Sequence, residues 1–407
     1  MSKLSNMLLH ALGNSDYYRH NVRISSEVTV EDFPVLTKEN LKKHCEEIII
    51  DQFRYGDSSI LKSAFTSGST GISTVVYWDN NDYVRSNMCI WRLRKAWYGV
   101  APDDKQVVFT SMKYDGHDLI KPPKIELSNN GKTLSLSKFY LNDNNVIEYI
   151  DIIRKYAPRW MSLQTSTLIR IIDVLKKYEL SLPSSIKYIE LNGEVVTQSN
   201  VNYFRKFINI PIANLYGAME VNSIAYECPY HSLHVLHDNI YIEKCKINNE
   251  EHTLVTSLHN TAMPIIRYDL NDIVLFSDKK SCPCGYHSQI IDEIQGRCTD
   301  RIYLSEETYI NAYTLVYYIE SVNLLLHNSI VQYKIVQNEK KSIIIQLVVN
   351  PEFLNWERTI TEEILRQFHS DEQLATFSIT ISFVKTISAS INSKFKVFEN
   401  LIGDGDE

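Results

Sequence analysis

Thr66-Ser67-Gly68-Ser69-Thr70-Gly71 sets hydroxyl side chains and two glycines next to one another with almost no side-chain bulk. Glycine lets the backbone take positive φ and approach an anion closely, while Ser and Thr hydroxyls and backbone N–H groups supply donors. Such a run is suited to wrapping phosphate. It is not a Walker loop, because no Gly-Lys-Ser/Thr follows and the β-branched and aromatic Thr74-Val75-Val76-Tyr77-Trp78 predicts a strand rather than a helix. Read alone, the same run is also compatible with a polar surface turn. A second constellation is Cys282-Pro283-Cys284-Gly285 together with Cys228-Pro229-Tyr230-His231-Ser232-Leu233-His234. A Cys-x5-His pair with a Cys-x-Cys turn offers four donors of the zinc type: Cys228, His234, Cys282 and Cys284, with His231 as the alternative imidazole. Four protein donors leave no position for water, so the site would be structural. The competing reading is that these cysteines are small buried hydrophobes, as Cys45, Cys89, Cys245 and Cys298 are expected to be.

Further motifs follow in a definite order. Phe33-Pro34-Val35-Leu36-Thr37-Lys38-Glu39-Asn40-Leu41 precedes the loop. Tyr216-Gly217-Ala218-Met219-Glu220, Tyr268-Asp269-Leu270-Asn271-Asp272, Gly296-Arg297 and finally Ser393-Lys394-Phe395-Lys396-Val397 come after it. Taken together these segments resemble the adenylate-forming superfamily of acyl-CoA synthetases, luciferases and nonribosomal adenylation domains, in its phenylacetate-CoA ligase-like branch. The family's loop reads Ser/Thr-Ser-Gly-Ser/Thr-Thr-Gly, its second motif Tyr-Gly-x-Thr-Glu and its third Tyr-x-x-x-Asp. The resemblance spans nearly the whole chain.

The resemblance implies a role for each motif. Thr66, Ser67, Gly68, Ser69, Thr70 and Gly71 would hold the β- and γ-phosphates of ATP. Glu220 would be the Mg²⁺-associated carboxylate, a hard oxygen ligand. Asp272 would accept the ribose hydroxyls, Arg297 would steady the ribose and phosphate region, and Tyr216, beside Gly217, would lie against adenine. Lys394 would bridge the carboxylate and α-phosphate oxygens as charge builds in the transition state, with Lys396 as its near neighbour. The branch's cysteine and histidine set supports zinc. This chain also departs from the family. Met219 stands for the usual Thr, Thr299 stands where an acidic hinge residue is common, and Ser393 stands where a Gly commonly precedes the lysine.

Composition is that of a folded enzyme. With 407 residues and 44% hydrophobic content, the chain can bury a large core across two or three folding units. A formal charge of -7 without a basic block argues against nucleic acid as a partner. Met7-Leu8-Leu9 is too short for a signal-peptide core, and no stretch is long enough for a membrane helix, so cytoplasmic residence without a membrane partner is expected. In that compartment seven cysteines read as thiols or metal ligands rather than disulfides.

Periodicity predicts helices over 82–97, 145–156, 166–177 and 198–207, alternating with strands at 106–110, 159–163 and 186–191 and a strand running into Tyr216. After Arg297 the pattern restarts, with extended 301–304, helical 313–325, two strands near 331–349, helical 356–368 and extended 377–384. The expected fold is α/β: a large N-terminal α/β adenylation domain over 1–296 and a small, mobile C-terminal α+β domain over 297–407 carrying Lys394. The expected function is ATP-dependent activation of an aromatic, small acyl or amino acid as acyl-adenylate. Transfer to a thiol of coenzyme A or of a carrier protein's phosphopantetheine would follow. Two other readings are an amine acceptor and a degenerate nucleotide-binding scaffold without turnover.

Overall fold

The computed structural model describes residues 2–24, 27–65, 74–110, 113–114, 119–120, 123–247, 250–306, 308–387 and 395–402. Residues Thr66 to Gly71, Ser393 and Lys394 lie outside the described residues, as does most of 111–122. By its internal contacts the chain divides into two compact units. The first comprises Met1–Leu163, Pro183–Gly193 and Pro211–Ile294; the second comprises Gln164–Leu182, Glu194–Ile210 and Gln295–Glu407.

The sheet of the first unit is built by the alternation seen in sequence. Strands Thr133–Ser137, Gln106–Thr110, Trp160–Leu163, Tyr188–Asn192 and Ile212–Ala218 lie side by side in that order and are mutually parallel. Antiparallel strands extend both edges: Ile125–Ser128 beyond Thr133–Ser137, and Asn222–Glu227 then Leu233–Val235 beyond Ile212–Ala218. Parallel strands covered on both faces read as apolar runs, as Trp160-Met161 and Tyr188-Ile189 do, all of them buried. In such open α/β sheets ligands bind outside the carboxyl ends of the strands. The helices carry local signals. Asp79 caps Asn80–Tyr98 by accepting from the Asn81 and Asp82 amides, and Gly99 ends it at φ 67. Asn142 caps Asp143–Tyr156, whose Val146, Tyr149, Ile150 and Ile153 are buried.

One ion pair is sealed inside this unit. Arg94, on Asn80–Tyr98, donates Nε to Glu190 Oε2 at 2.7 Å and Nη2 to Oε1 at 2.6 Å, from helix to central strand. Trp91 and Trp160 flank the guanidinium at 4.5 and 5.3 Å, and the Glu190 side chain is 1% exposed. Removing one partner strands a buried charge, which costs about 3–5 kcal/mol. Glu190→Ala is therefore expected to lower the urea midpoint of unfolding sharply, while Arg94→Met with Glu190→Leu recovers most of the loss. A single variant as stable as the double would contradict this.

In the second unit, strands Ser378–Phe383, Ser342–Val349, Ile330–Glu339 and Phe398–Asn400 form a sheet in that order. Helices Tyr313–Leu325 and Glu357–His369 bury Leu315, Ile319, Ile360, Ile364 and Phe368 in the core of this unit. The α+β pattern expected after Arg297 is present. The same unit also takes in helices Thr165–Lys177 and Gln198–Phe207. Sequence periodicity did not reveal the hairpin Ile240–Ile247 with Glu250–Ser257, or the N-terminal helices Lys3–Asn14 and Asp16–Asn21. Among the described residues no helix is long and apolar enough to cross a membrane.

Candidate functional site

The phosphate-loop candidate is anchored on both sides. Strand Lys62–Phe65 pairs antiparallel with Val75–Trp78, Phe65 opposite Val75. The strand expected after the loop candidate is present.

Tyr216 and Gly217 lie near the end of the parallel strand Ile212–Ala218, whose pairing with Asn222–Glu227 bulges between them before residues 219–221 turn the chain into that next strand. A Cβ on Gly217 would stand 2.6 Å from the Asn222 carbonyl oxygen, so only glycine fits this turn. The turn brings Glu220 inward, where its carboxylate is 7% exposed and accepts a hydrogen bond from Tyr268 Oη at 2.7 Å. Burial, and then the Glu220 charge, hold the Tyr268 phenol well above its ordinary pKa, so it remains a donor. Tyr216 Oη in turn donates to Asp272 Oδ2 at 2.6 Å. The second and third sequence motifs are thus joined by two phenol-to-carboxylate bonds.

Asp272 is positioned by its own local scaffold. His252 Nδ1 pairs with Asp269 Oδ2 at 2.9 Å, and Asp269 Oδ1 accepts the Asn271 N–H at 2.9 Å, pinning a turn in which Asn271 has φ 56. Leu36 bridges Tyr268, with its N–H on the Arg267 carbonyl and its carbonyl on the Asp269 N–H, both at 3.0 Å. The Pro34 to Leu41 segment therefore has a structural job: Leu36 and Leu41 are fully buried, and Thr37 caps the helix Lys38–Lys43. Tyr268, Asp269 and His252 were not singled out in sequence. Tyr268 and Asp269 stood inside a recognised motif, but nothing local marks His252.

Glu220 fits a hard divalent cation. A carboxylate has about four acceptor positions, and Tyr268 occupies one. Bound there with nucleotide, Mg²⁺ would neutralise phosphate charge.

The cysteine and histidine set converges. Donor atoms of Cys228, His234, Cys282 and Cys284 all lie within 4.8 Å of one another. Cys228 Sγ and Cys282 Sγ are 3.7 Å apart, and Cys284 Sγ stands 3.2 Å from His234 Nε2. Ligand bonds of ~2.3 Å in a tetrahedron place two sulfurs about 3.8 Å apart, so the set fits a four-coordinate ion. His234 Nδ1 meets Ser288 Oγ at 3.0 Å, whose hydroxyl donates to the Gln289 carbonyl. This second partner orients the ring and directs Nε2 at the sulfurs. Burial lowers the His234 pKa, favouring the neutral imidazole that a metal requires. His231, at φ 59, instead meets Glu227 Oε1 through Nδ1 at 3.0 Å and lies outside the cluster. Trp97 and Tyr286 shield His234, with ring centroids at 5.8 and 5.6 Å. No disulfide links any of the cysteines.

In the second unit, the Arg297 carbonyl accepts the Asp300 N–H at 3.1 Å and Asn311 Nδ2 at 3.0 Å. Burial raises the Asp300 carboxyl, against the opposing charges of Arg297 and Lys396. Lys396 is thereby placed near Asp300.

Trp160 and Met161, apolar types that would suit an acyl group, are used otherwise. Trp160 and Met161 are 2% and 0% exposed, and the Trp160 ring packs against Trp91 and Arg94 within the core. Toward the carboxyl ends of their strands the half-buried Ser162 and Asn192 are bonded at 2.7 Å.

Comparison with solved structures places this architecture. 2-Hydroxyisobutyryl-CoA ligase, in the postadenylation state in complex with R3-HIB-AMP, matches at TM-score 0.72 and 15% identity over 97% of this chain and 87% of that one. The two chains share one fold. The anthranilate CoA ligase AuaEII in complex with anthranoyl-AMP matches at TM-score 0.54 and 10% identity, over 82% of this chain and 65% of that one. The amide bond synthetase McbA from Marinactinospora thermotolerans matches at 0.52 and 13%, over 83% and 67%. No protein-family model matches the chain, and no curated protein does. At these identities the likeness is one of fold.

Proposed function

We propose that the protein activates a carboxylic acid with ATP and passes the acyl group to a thiol. A carboxylate oxygen bonds to the α-phosphorus as pyrophosphate leaves. The thiol sulfur then bonds to the acyl carbon, its proton is lost and AMP departs. The thiol is that of coenzyme A or of a carrier protein's phosphopantetheine, and the acid is of aromatic, small acyl or amino type.

One observation carries this reading. Glu220 with Tyr268, and Tyr216 with Asp272, join two motifs far apart in sequence into a single carboxylate-and-phenol site. That pairing is what a nucleotide needs: Asp272 for the ribose hydroxyls, Tyr216 beside adenine, Glu220 for Mg²⁺. Residues 66–71 would hold the phosphates. The solved ligases of this fold that carry acyl-adenylates and coenzyme A support the same chemistry. A transition state that gathers charge at phosphorus is favoured by groups fixed in advance, which is why Lys394 is assigned to it, with Arg297 assigned to the ribose and phosphate region. The functional division into residues 1–296 and 297–407 belongs to the proposal, as do structural zinc on Cys228, His234, Cys282 and Cys284 and residence in the cytoplasm.

Met219 favours a second reading, a nucleotide-binding scaffold without turnover. It stands where a hydroxyl is usual, and its side chain is 49% exposed. ATP–pyrophosphate exchange against a panel of carboxylic and amino acids separates the two. Exchange with at least one acid, lowered at least about tenfold in Asp272→Ala by loss of charge-assisted hydrogen bonds, is expected. ATP binding with no exchange for any acid would establish the scaffold.

A further inference from the structure

Tyr268 is fixed by its backbone before its phenol meets Glu220. It lies in the strand Tyr268–Asp269, opposite Val255 of Glu250–Ser257 in an antiparallel pair. Leu36 spans it as well, donating to the Arg267 carbonyl and accepting from the Asp269 N–H, and the Tyr268 side chain is buried at 4% exposure. Glu220 arrives differently. It stands in the turn of residues 219–221, where the Val221 N–H donates to the Ala218 carbonyl at 3.1 Å. A glutamate on a turn has several rotatable bonds, and the backbone alone does not decide where its carboxylate faces. The bond from Tyr268 Oη to Glu220 Oε1 at 2.7 Å decides it.

That bond also makes the two carboxylate oxygens unequal. Oε1 already accepts a phenol proton, and among the described residues nothing donates to Oε2. The difference bears on which cation the carboxylate suits. Ca²⁺ readily takes a carboxylate through both oxygens in a loose, variable shell, whereas Mg²⁺ holds to a strict octahedron in which a carboxylate supplies one oxygen. Chelation through both oxygens would compete with the Tyr268 bond, and ligation through Oε2 would keep it.

We propose that Tyr268 is a positioning residue for the divalent cation: its phenol holds Glu220 as a one-oxygen ligand and thereby favours Mg²⁺ over Ca²⁺. The inference rests on the nucleotide-binding part of the proposed function and deepens it, by assigning the choice of metal to a residue that acts through Glu220.

Calorimetric titration of the whole chain with ATP, in saturating Mg²⁺ and in saturating Ca²⁺, reads this preference without turnover. The wild type is expected to bind ATP about tenfold more tightly with Mg²⁺, and Tyr268→Phe to bring the two affinities within about twofold. Glu220→Ala should also remove the preference, and adding Tyr268→Phe to it should change the ratio no further, because both act through one carboxylate. Tyr18→Phe is the control for structure. It deletes another buried phenol bond, to the Pro264 carbonyl at 2.9 Å, and should lower the unfolding midpoint while leaving the metal ratio as in the wild type. A lowered midpoint in Tyr268→Phe with the wild-type ratio kept would make the bond purely structural and overturn the proposal. So would a wild type that does not discriminate the two metals, or a further change of ratio in the double variant. Discrimination lost in Tyr268→Phe, in a protein that exchanges pyrophosphate with no acid, would refute turnover and still support the role of Tyr268. A wild type that binds no ATP would refute the nucleotide reading and the proposal with it.

Discussion

Lys394→Ala is expected to lower acyl-adenylate formation at least about a thousandfold while nucleotide binding persists, because the lysine is assigned to charge that exists only in the transition state. ATP contacts assigned to the first unit, through Tyr216, Glu220 and Asp272, do not involve it. The KM for ATP should therefore move little, and the loss should appear in kcat of pyrophosphate exchange. Lys396→Ala is the informative control. Its ammonium acts on the half-buried Asp300 carboxyl, so its removal should affect stability more than rate. Equal loss of exchange in both variants, or no loss in Lys394→Ala, would remove Lys394 from the mechanism.

Metal removal should have the largest effect on folding. Elemental analysis of purified protein is expected to give about one zinc per chain, as a closed four-donor site implies. Cys228→Ser, Cys284→Ser and His234→Ala should each lose that metal and unfold at a markedly lower temperature. The apparent binding free energy of structural zinc in small peptides is ~10–16 kcal/mol, and it counts as folding free energy when the site exists only in the folded chain. His231→Ala should keep its metal, because that imidazole faces Glu227 rather than the sulfurs. Metal-free protein that is folded and active would refute the zinc assignment. Metal loss in His231→Ala with retention in His234→Ala would reverse the choice of ligand.

The candidate metal and nucleotide sites draw on the same part of the chain. Strand Asn222–Glu227 leads from the Glu220 turn directly to Cys228, and Leu233–Val235 carries His234 beside it in the sheet. Loss of zinc should therefore disturb Tyr216 and Glu220 as well as stability. Fluorescence of Trp97, which lies against the His234 ring, offers a local report of the metal.

What was legible in sequence was what local physics controls. Apolar residues at helical spacing located Asn80–Tyr98, Asp143–Tyr156, Thr165–Lys177 and Gln198–Phe207 to within a few residues, because each helix buries one stripe and carries its own capping signals. Cys228, Cys282 and Cys284 could be picked out because clustered donors are unusual in a linear chain, whereas Glu220 and Asp272 were marked only by the resemblance of their motifs to a family. Tertiary structure alone decided what depends on partners distant in sequence. That His234 and not His231 joins the cysteines follows from alternation along Leu233–Val235 and from Ser288 behind the ring. That Trp160 fills the core rather than an acyl pocket follows from Arg94 and Trp91 on a helix more than sixty residues earlier. The His252 to Asp269 support of the Asp272 turn, the Tyr268 bond to Glu220 and the bond from the Phe395 N–H to Glu194 Oε1 each join residues with no local pattern between them. Periodicity records which face of an element avoids water, whereas hydrogen-bond partners are set by which faces the folded chain brings together.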